Sequence, residues 1–308
     1  MTMLQQQAPP AVRPPAAPPL PPRTRARRRL SQAGARLWSA SPLTYVALVF
    51  TVLLSVAPLW FMVVMASRPN SEITALPPPF TLGDQLDDNV GRVLSNEDVI
   101  FGQALVNSLI VAGVCSISVV LLSSMAGFAF AKLRFRGRGA LLIVVIATMM
   151  VPVQLGLVPL YQLMGNLGLN GQLPAVILPF LISGFGVFLM RQYTMSAVPD
   201  ELIDAARVDG ASTWRTFISV VFPALRPAAA VLGLLTFMER WNDFLWPYLT
   251  LSPKHPTVQV ALSRLSGGYY TDQALVMAGT LLGTLPLVVV FVLFGRQIIG
   301  GIMEGGVK

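Results

Sequence analysis

Three polar side chains able to bind a solute stand together, beside Arg240, inside an otherwise apolar stretch: Glu239, Asn242 and Asp243. Ionisable groups at membrane depth are costly, so they face a cavity, a partner or one another. Counted from Ala228 at ~1.5 Å per residue, Glu239 lies about 16 Å along a helix, near the middle of a ~30 Å hydrocarbon layer. Asn242 and Asp243 follow it by three and four positions, the spacing that places side chains on one helix face. Glu239 and Arg240 are adjacent, so they point in different directions and need not pair. Such a face can line a solute path or knit the segment to a neighbouring subunit, and the residues leave both open. Gln154 and Gln162, in a run interrupted by Pro152 and Pro159, are secondary candidates for a path.

Other reactive residues exclude more than they suggest. Cys115 is the single cysteine and sits in an apolar run, so neither an internal disulfide nor a cysteine-built zinc site is expected. His255 is the single histidine, beside Pro256, and cannot build a metal site with a second imidazole. No HExxH, paired-cysteine or GxSxG pattern occurs, which argues against a membrane enzyme. The three lysines, Lys132, Lys254 and Lys308, follow no glycine-rich phosphate-binding pattern. ATP hydrolysis by that route would belong to another polypeptide, and no cofactor or metal is expected on this chain.

The elements that position these residues are apolar. Of 308 residues, 54% are hydrophobic and 12% charged, against about a quarter charged in soluble domains. The mean hydropathy is +0.65. Runs at 43–66, 105–131, 140–164, 173–190, 228–249 and 275–299 each suffice to cross a membrane as a helix. The prolines predict a kink in the third. The first is too long for a signal peptide and no cleavage site follows it. The Arg27-Arg28-Arg29 run lies too far ahead of it for a twin-arginine leader.

Lys and Arg number seventeen in the tail, the third and fifth loops and the C-terminal end, against four in the alternate loops. That asymmetry places both termini in the cytoplasm. The +8 net charge is thereby a topology signal, and no nucleic-acid partner is expected. Residues 1–42 form a Pro/Arg-rich cytoplasmic tail whose composition predicts disorder and whose arginines can meet membrane lipid. Residues 43–308 form the six-span domain.

The cytoplasmic loop at 191–227 is unusual. Pro199 suits a first helical turn, and Asp200 and Glu201 favour the positive end of the helix dipole. Leu202, Ala205, Ala206 and Val208 can form a small apolar face, and Gly210 lets the chain leave the helix. Ser212 can cap a second short helix striped by Trp214, Phe217, Ile218 and Val221, which Pro223 and Pro227 close before the fifth span. An apolar face on such an element needs a partner, either its own spans or another protein.

This loop resembles the EAA loop of ABC importer permeases: Glu-Ala-Ala, three residues, Gly, nine residues, Ile, one residue, Leu, Pro. Asp204, Ala205, Ala206, Gly210, Val220, Phe222 and Pro223 stand at those spacings, with Asp for Glu, Val for Ile and Phe for Leu. The stretch from Pro199 to Pro227 is similar to the form in maltose-permease-like sugar permeases. Trp241-Asn242-Asp243-Phe244-Leu245-Trp246-Pro247, the glycine-rich end from Gly300 to Lys308, Asn107-Ser108 and the Phe128 to Gly137 stretch fit the same group.

The resemblance implies an all-α membrane protein of six transmembrane helices, with a cytoplasmic coupling helix between the fourth and fifth spans. It implies that Glu201, Asp204, Ala205, Ala206, Asp209, Gly210, Phe217 and Pro223 serve docking to a separate ATPase. The implied partners are a second six-span permease completing the pore, two ATP-binding cassette subunits that use ATP and Mg, and an extracytoplasmic solute-binding protein. The implied place is the bacterial plasma (inner) membrane. The implied function is the permease subunit of an ATP-driven, binding-protein-dependent importer for a sugar or oligosaccharide. A non-sugar solute such as a phosphorylated polyol is the alternative, and a secondary transporter fits less well because no inverted repeat is evident. Glu239, Asn242 and Asp243 would then line the solute path, with Trp241 or Trp246 stacking on a sugar ring. The loop at 67–104, with six acids, would receive the binding protein, assisted by Tyr269 and Tyr270. Gly279 and Gly283 read as helix packing.

Overall fold

The computed structural model describes residues 41–267 and 271–306, with side chains up to residue 295. The tail, Tyr269 and Tyr270 therefore lie outside the described residues. The chain divides into two units, 1–57 and 58–308, and both candidate sites lie in the second. The regular structure among the described residues is helical apart from one isolated bridge between Gly171 and Leu251.

Helix α1 (Pro42–Ala66) is followed by α2 (Asn70–Ile73) and α3 (Leu86–Leu94) in the first connecting loop. Asp87 and Asp88 open α3 and Arg92 ends it, matching the helix dipole. Buried Asn89 anchors α3 by donating to the carbonyls of Ala66 and Arg68 at 3.0 and 3.1 Å.

Helix α4 (Phe101–Lys132) is the central span and packs most extensively against the fourth and fifth spans. The third span is α5 (Arg138–Met149), a 3-10 turn at Val153–Gly156 and α6 (Leu157–Asn166), bent by 93°. Of the two prolines expected to kink it, Pro152 sits at the break. Pro159 lies in the first turn of α6, where a missing N–H breaks no helical bond. The fourth span is α7 (Leu173–Ile177), a 3-10 turn at Leu178–Phe180 and α8 (Gly184–Ala197), bent by 40°. It runs on to Ala197 rather than ending at 190. Gly127 of α4 permits a close approach to the α8 backbone: a Cβ there would lie 2.7 Å from the Arg191 nitrogen.

After α9 (Asp200–Val208), α10 (Thr213–Thr216) passes through a π-helical turn at Phe217–Val221 into α11 (Phe222–Trp241). These form one apolar helix, Thr213–Trp241. The expected closure at Pro223 and Pro227 does not occur. The wider π turn lies where Pro223 lacks an N–H, and Pro223 falls at the start of regular helix, where none is required. The expected span at 228–249 is corrected at its other end too: α11 stops at Trp241 and α12 (Leu245–Thr250) is separate. Helix α13 (Val258–Leu265) leads to α14 (Gln273–Gly306), apolar enough to span over Gln273–Gly295. Among the described residues four helices are long and apolar enough to cross alone, and each bent pair taken as one broken span gives six.

Two apolar clusters hold the ends of the bundle. Phe128, Met190, Ile203, Phe217 and Leu225 pack at the end carrying α9. Phe101, Ala112, Phe237, Trp241 and Val258 pack toward the opposite end. Gly279 and Gly283 admit α13 against α14: a Cβ on either would lie under 3 Å from Leu265 or Val258.

Candidate coupling and solute-path sites

Helix α9 is fixed on one face and open on the other. Ile203 is buried in the Phe128–Phe217 cluster, and Ala206 is buried as well. Glu201, Leu202, Asp204, Ala205, Val208 and Asp209 are exposed, Val208 at 88%. The face expected from Leu202, Ala205, Ala206 and Val208 is thus divided, with Ala206 turned inward. Its exit is a full Schellman motif: Gly210 donates to Arg207 O at 3.0 Å and Ala211 to Ala206 O at 2.9 Å. Gly210 holds φ +74°, which a residue with a Cβ adopts at a cost. Ser212 then caps the next helix, accepting from the Arg215 N–H at 3.3 Å.

An ion pair ties this element to the central span. Lys132 at the end of α4 reaches Asp200 at 2.6 Å. The hydrogen bond from Lys132, and then its charge, hold the Asp200 carboxyl below the usual carboxylate range. Asp204 pairs with Arg207 at 3.1 Å. Glu201 and Asp209 have no ion-pair partner among the described residues. Phe217 is buried between Phe128 and Trp214, at 5.8 and 5.7 Å between ring centroids, while Trp214 remains exposed. Together α9 and the start of the fifth span present Val208, Trp214 and two unpaired carboxylates on a rigid mount.

At the far end of α11 the polar group is arranged differently from a single helical face. The helix ends at Trp241, with Asn242 as its C-cap. Arg240 is clamped: it pairs with its neighbour Glu239, reaches Asp243 at 3.1 Å and lies 4.1 Å over the Phe180 ring. Its side chain is 10% exposed, whereas that of Glu239 is 67% exposed. Adjacent residues therefore do pair here, because the long guanidinium stem folds back to its neighbour. Glu239, Arg240 and Asp243 line a cavity of about 260 Å³ with Gln154 and Trp246. Asn242 instead accepts a hydrogen bond from Gln259 of α13 at 3.3 Å. Gln162 is exposed and does not line this cavity.

The two tryptophans are held in the packing. Trp241 is 1% exposed, stacks on Phe237 and donates to Gly283 O at 3.1 Å. Trp246 is 2% exposed and donates to Ala175 O at 3.1 Å. Both indole N–H groups are thereby satisfied inside the packing, and Trp246 also borders the cavity beside Glu239.

One residue that builds the site carried little signal. Phe180, under Arg240, is one apolar residue among many. Asn107 donates to Pro256 O at 2.9 Å and Ser108 accepts from the Val258 N–H at 2.9 Å, fixing the start of α13 across the bundle. Helix α13 itself was legible: Val258, Ala261, Leu262 and Leu265 have helical spacing.

Residues 119–299 match the family described as binding-protein-dependent transport system inner membrane component. The lactose transport system permease protein LacG of Rhizobium radiobacter is 35% identical, over 86% of this chain and 95% of its own length. The arabinooligosaccharides transport system permease protein AraQ of Bacillus subtilis is 31% identical, over 83% and 92%. The sn-glycerol-3-phosphate transport system permease protein UgpE of Yersinia pestis is 31% identical, over 84% and 95%. A chain of a bacterial ABC transporter involved in import of the acidic polysaccharide alginate shares the fold, with a TM-score of 0.70 at 23% identity, over 91% and 100%.

Proposed function

As the chain belongs to the family of binding-protein-dependent transport system inner membrane components, we propose that it is one of two permease subunits in a plasma-membrane importer for a sugar or oligosaccharide. Two ATP-binding cassette subunits drive it with ATP and Mg, and an extracytoplasmic binding protein delivers the solute. The observation that carries the coupling is the mount of α9. Its inner face is fixed by Ile203, Ala206 and the Lys132–Asp200 pair, while Val208 and Trp214 remain exposed. The helix that follows Gly210 is the fifth span itself. A push on α9 therefore reaches Glu239 and Arg240 through one continuous helix, the kind of rigid element by which ATP-driven closure shifts a pore between two states. Both termini are cytoplasmic in this reading.

The solute path runs past Glu239, whose exposed carboxylate cannot face hydrocarbon cheaply and so faces water or a partner chain. Carboxylate and amide oxygens from Glu239, Asp243 and Gln154 accept hydrogen bonds from hydroxyl groups. The UgpE relative favours a second reading, a phosphorylated polyol. Against it, Arg240 is already neutralised by two carboxylates, and no other cation lines the cavity among the described residues. Uptake in the native host separates the two. Deleting the gene is expected to abolish import of a neutral saccharide, with lactose and an arabino-oligosaccharide as probes, and to spare sn-glycerol 3-phosphate. Loss of the phosphate alone would overturn the sugar assignment.

A further inference from the structure

An apolar groove of about 470 Å³ runs between α4, α11 and α14, away from both sites above. Ile117, Val120, Ala230, Gly233 and Phe237 are among its walls. Arg226 lines the end nearer α9 and Phe237 the other, because α4 and α11 run antiparallel: Phe128 meets Phe217 near one end, and Phe101 shares a cluster with Phe237 at the other. Arg226 is exposed and has no hydrogen-bond or ion-pair partner among the described residues.

The dimensions fit one leaflet. Arg226 and Phe237 are eleven residues apart on α11, about 16 Å at 1.5 Å per residue. Half of the ~30 Å hydrocarbon core is about 15 Å. The groove is thus about as long as one leaflet is thick: with Arg226 at headgroup level, Phe237 would lie near the bilayer midplane. Small residues make the room: a Cβ at Gly113 would meet nothing within 4 Å.

We propose that this groove is a phospholipid site. The phosphodiester sits on Arg226, whose planar fork matches two phosphate oxygens, and one acyl chain lies along α4 and α11 toward Phe237. The lipid brings its own anion to an unpaired cation and fills a groove whose walls otherwise lack contacts. A helix of a neighbouring subunit is the competing occupant. The buried, unpartnered Ser116 hydroxyl would suit it, but such a helix would leave Arg226 unpaired unless it carried an acid at that level.

The test places a photoreactive benzophenone side chain at position 117 of the full chain, expressed with its partners in the native host. After irradiation the chain is purified and weighed. A mass gain of one phospholipid is expected. Its yield should fall roughly fivefold with Arg226→Gln and recover with Arg226→Lys, because one cation near the headgroup is at stake. Gly113→Leu, which fills the groove, should abolish the adduct while the chain still reaches the membrane. A crosslink to a polypeptide would overturn the proposal in favour of a helix. A lipid adduct indifferent to Arg226→Gln and to Gly113→Leu would reduce it to bulk lipid. No adduct at 117, with a lipid adduct from the same probe at exposed position 144, would also overturn it.

Discussion

Arg240 and Glu239 share an ion pair but differ in what each can lose. Arg240 is nearly buried and serves two carboxylates and an aromatic face. Arg240→Gln removes the only cation between Glu239 and Asp243, and breaking such a buried pair costs on the order of 3 kcal/mol. We expect a lower melting temperature of the solubilised complex together with lost uptake. Glu239 is exposed, so Glu239→Gln should change stability by no more than about 0.5 kcal/mol while weakening saccharide uptake, if its carboxylate meets solute. Unchanged uptake with Glu239→Gln would remove Glu239 from the path. The sequence located this group of residues by their charge inside an apolar run. It could not reveal the clamp, because the partner Phe180 comes from a different span and the helix ends between Trp241 and Asp243. Nor could it tell what the tryptophans face, since an amphipathic ring reads alike whether it meets a ligand or, as with the Trp241 N–H, a carbonyl across the bundle.

The coupling element lives at the scale of a helix and its two ends. Gly210→Val forces a β-branched residue to φ +74° and should loosen the exit of α9, seen as faster amide exchange at Ala211, whose N–H closes the Schellman motif. The Lys132–Asp200 pair holds the other end. Because Asp200 has a lowered pKa, this tie is complete above the ordinary carboxylate value and is lost as pH falls through the lowered one. Exchange protection in α9 should therefore not change through this group between pH 5 and 8, and should fall only below about pH 4. A loss between pH 6 and 7 would refute that assignment. Much of this element was readable: the first-turn acids, Gly210 and Ser212 take the positions their chemistry predicts, while Pro199, expected in the first turn, stands one residue earlier as the N-cap. The division of its faces was not, because Ala205 and Ala206 differ only in which neighbour the fold brings to them. Nor was the fusion to the fifth span: Pro223 signals a stop but follows directly on the π turn, and Pro227 lies inside α11 without ending it.

For the whole molecule, charge asymmetry and six apolar runs give a topology that can be measured directly. Cys115 is buried, so the native chain supplies little background for thiol labelling. In intact cells a membrane-impermeant maleimide should label Asp88→Cys and not Val208→Cys, and should label both after permeabilisation. The reverse pattern would invert the orientation. The runs were legible because hydrocarbon thickness sets their length. The 93° break in the third span was announced by Pro152, but its angle comes from packing that no local pattern encodes.

The most direct test of the account is whether α9 holds a separate ATPase. The tagged chain is purified gently from native membranes beside Val208→Arg, a change on the outward face that disturbs no buried contact. The wild-type chain should bring a P-loop ATPase and a second six-span protein, and the variant should lose the ATPase alone. An ATPase absent from the wild-type preparation, under conditions that keep other importers intact, or one retained undiminished by the variant, would contradict the coupling assignment.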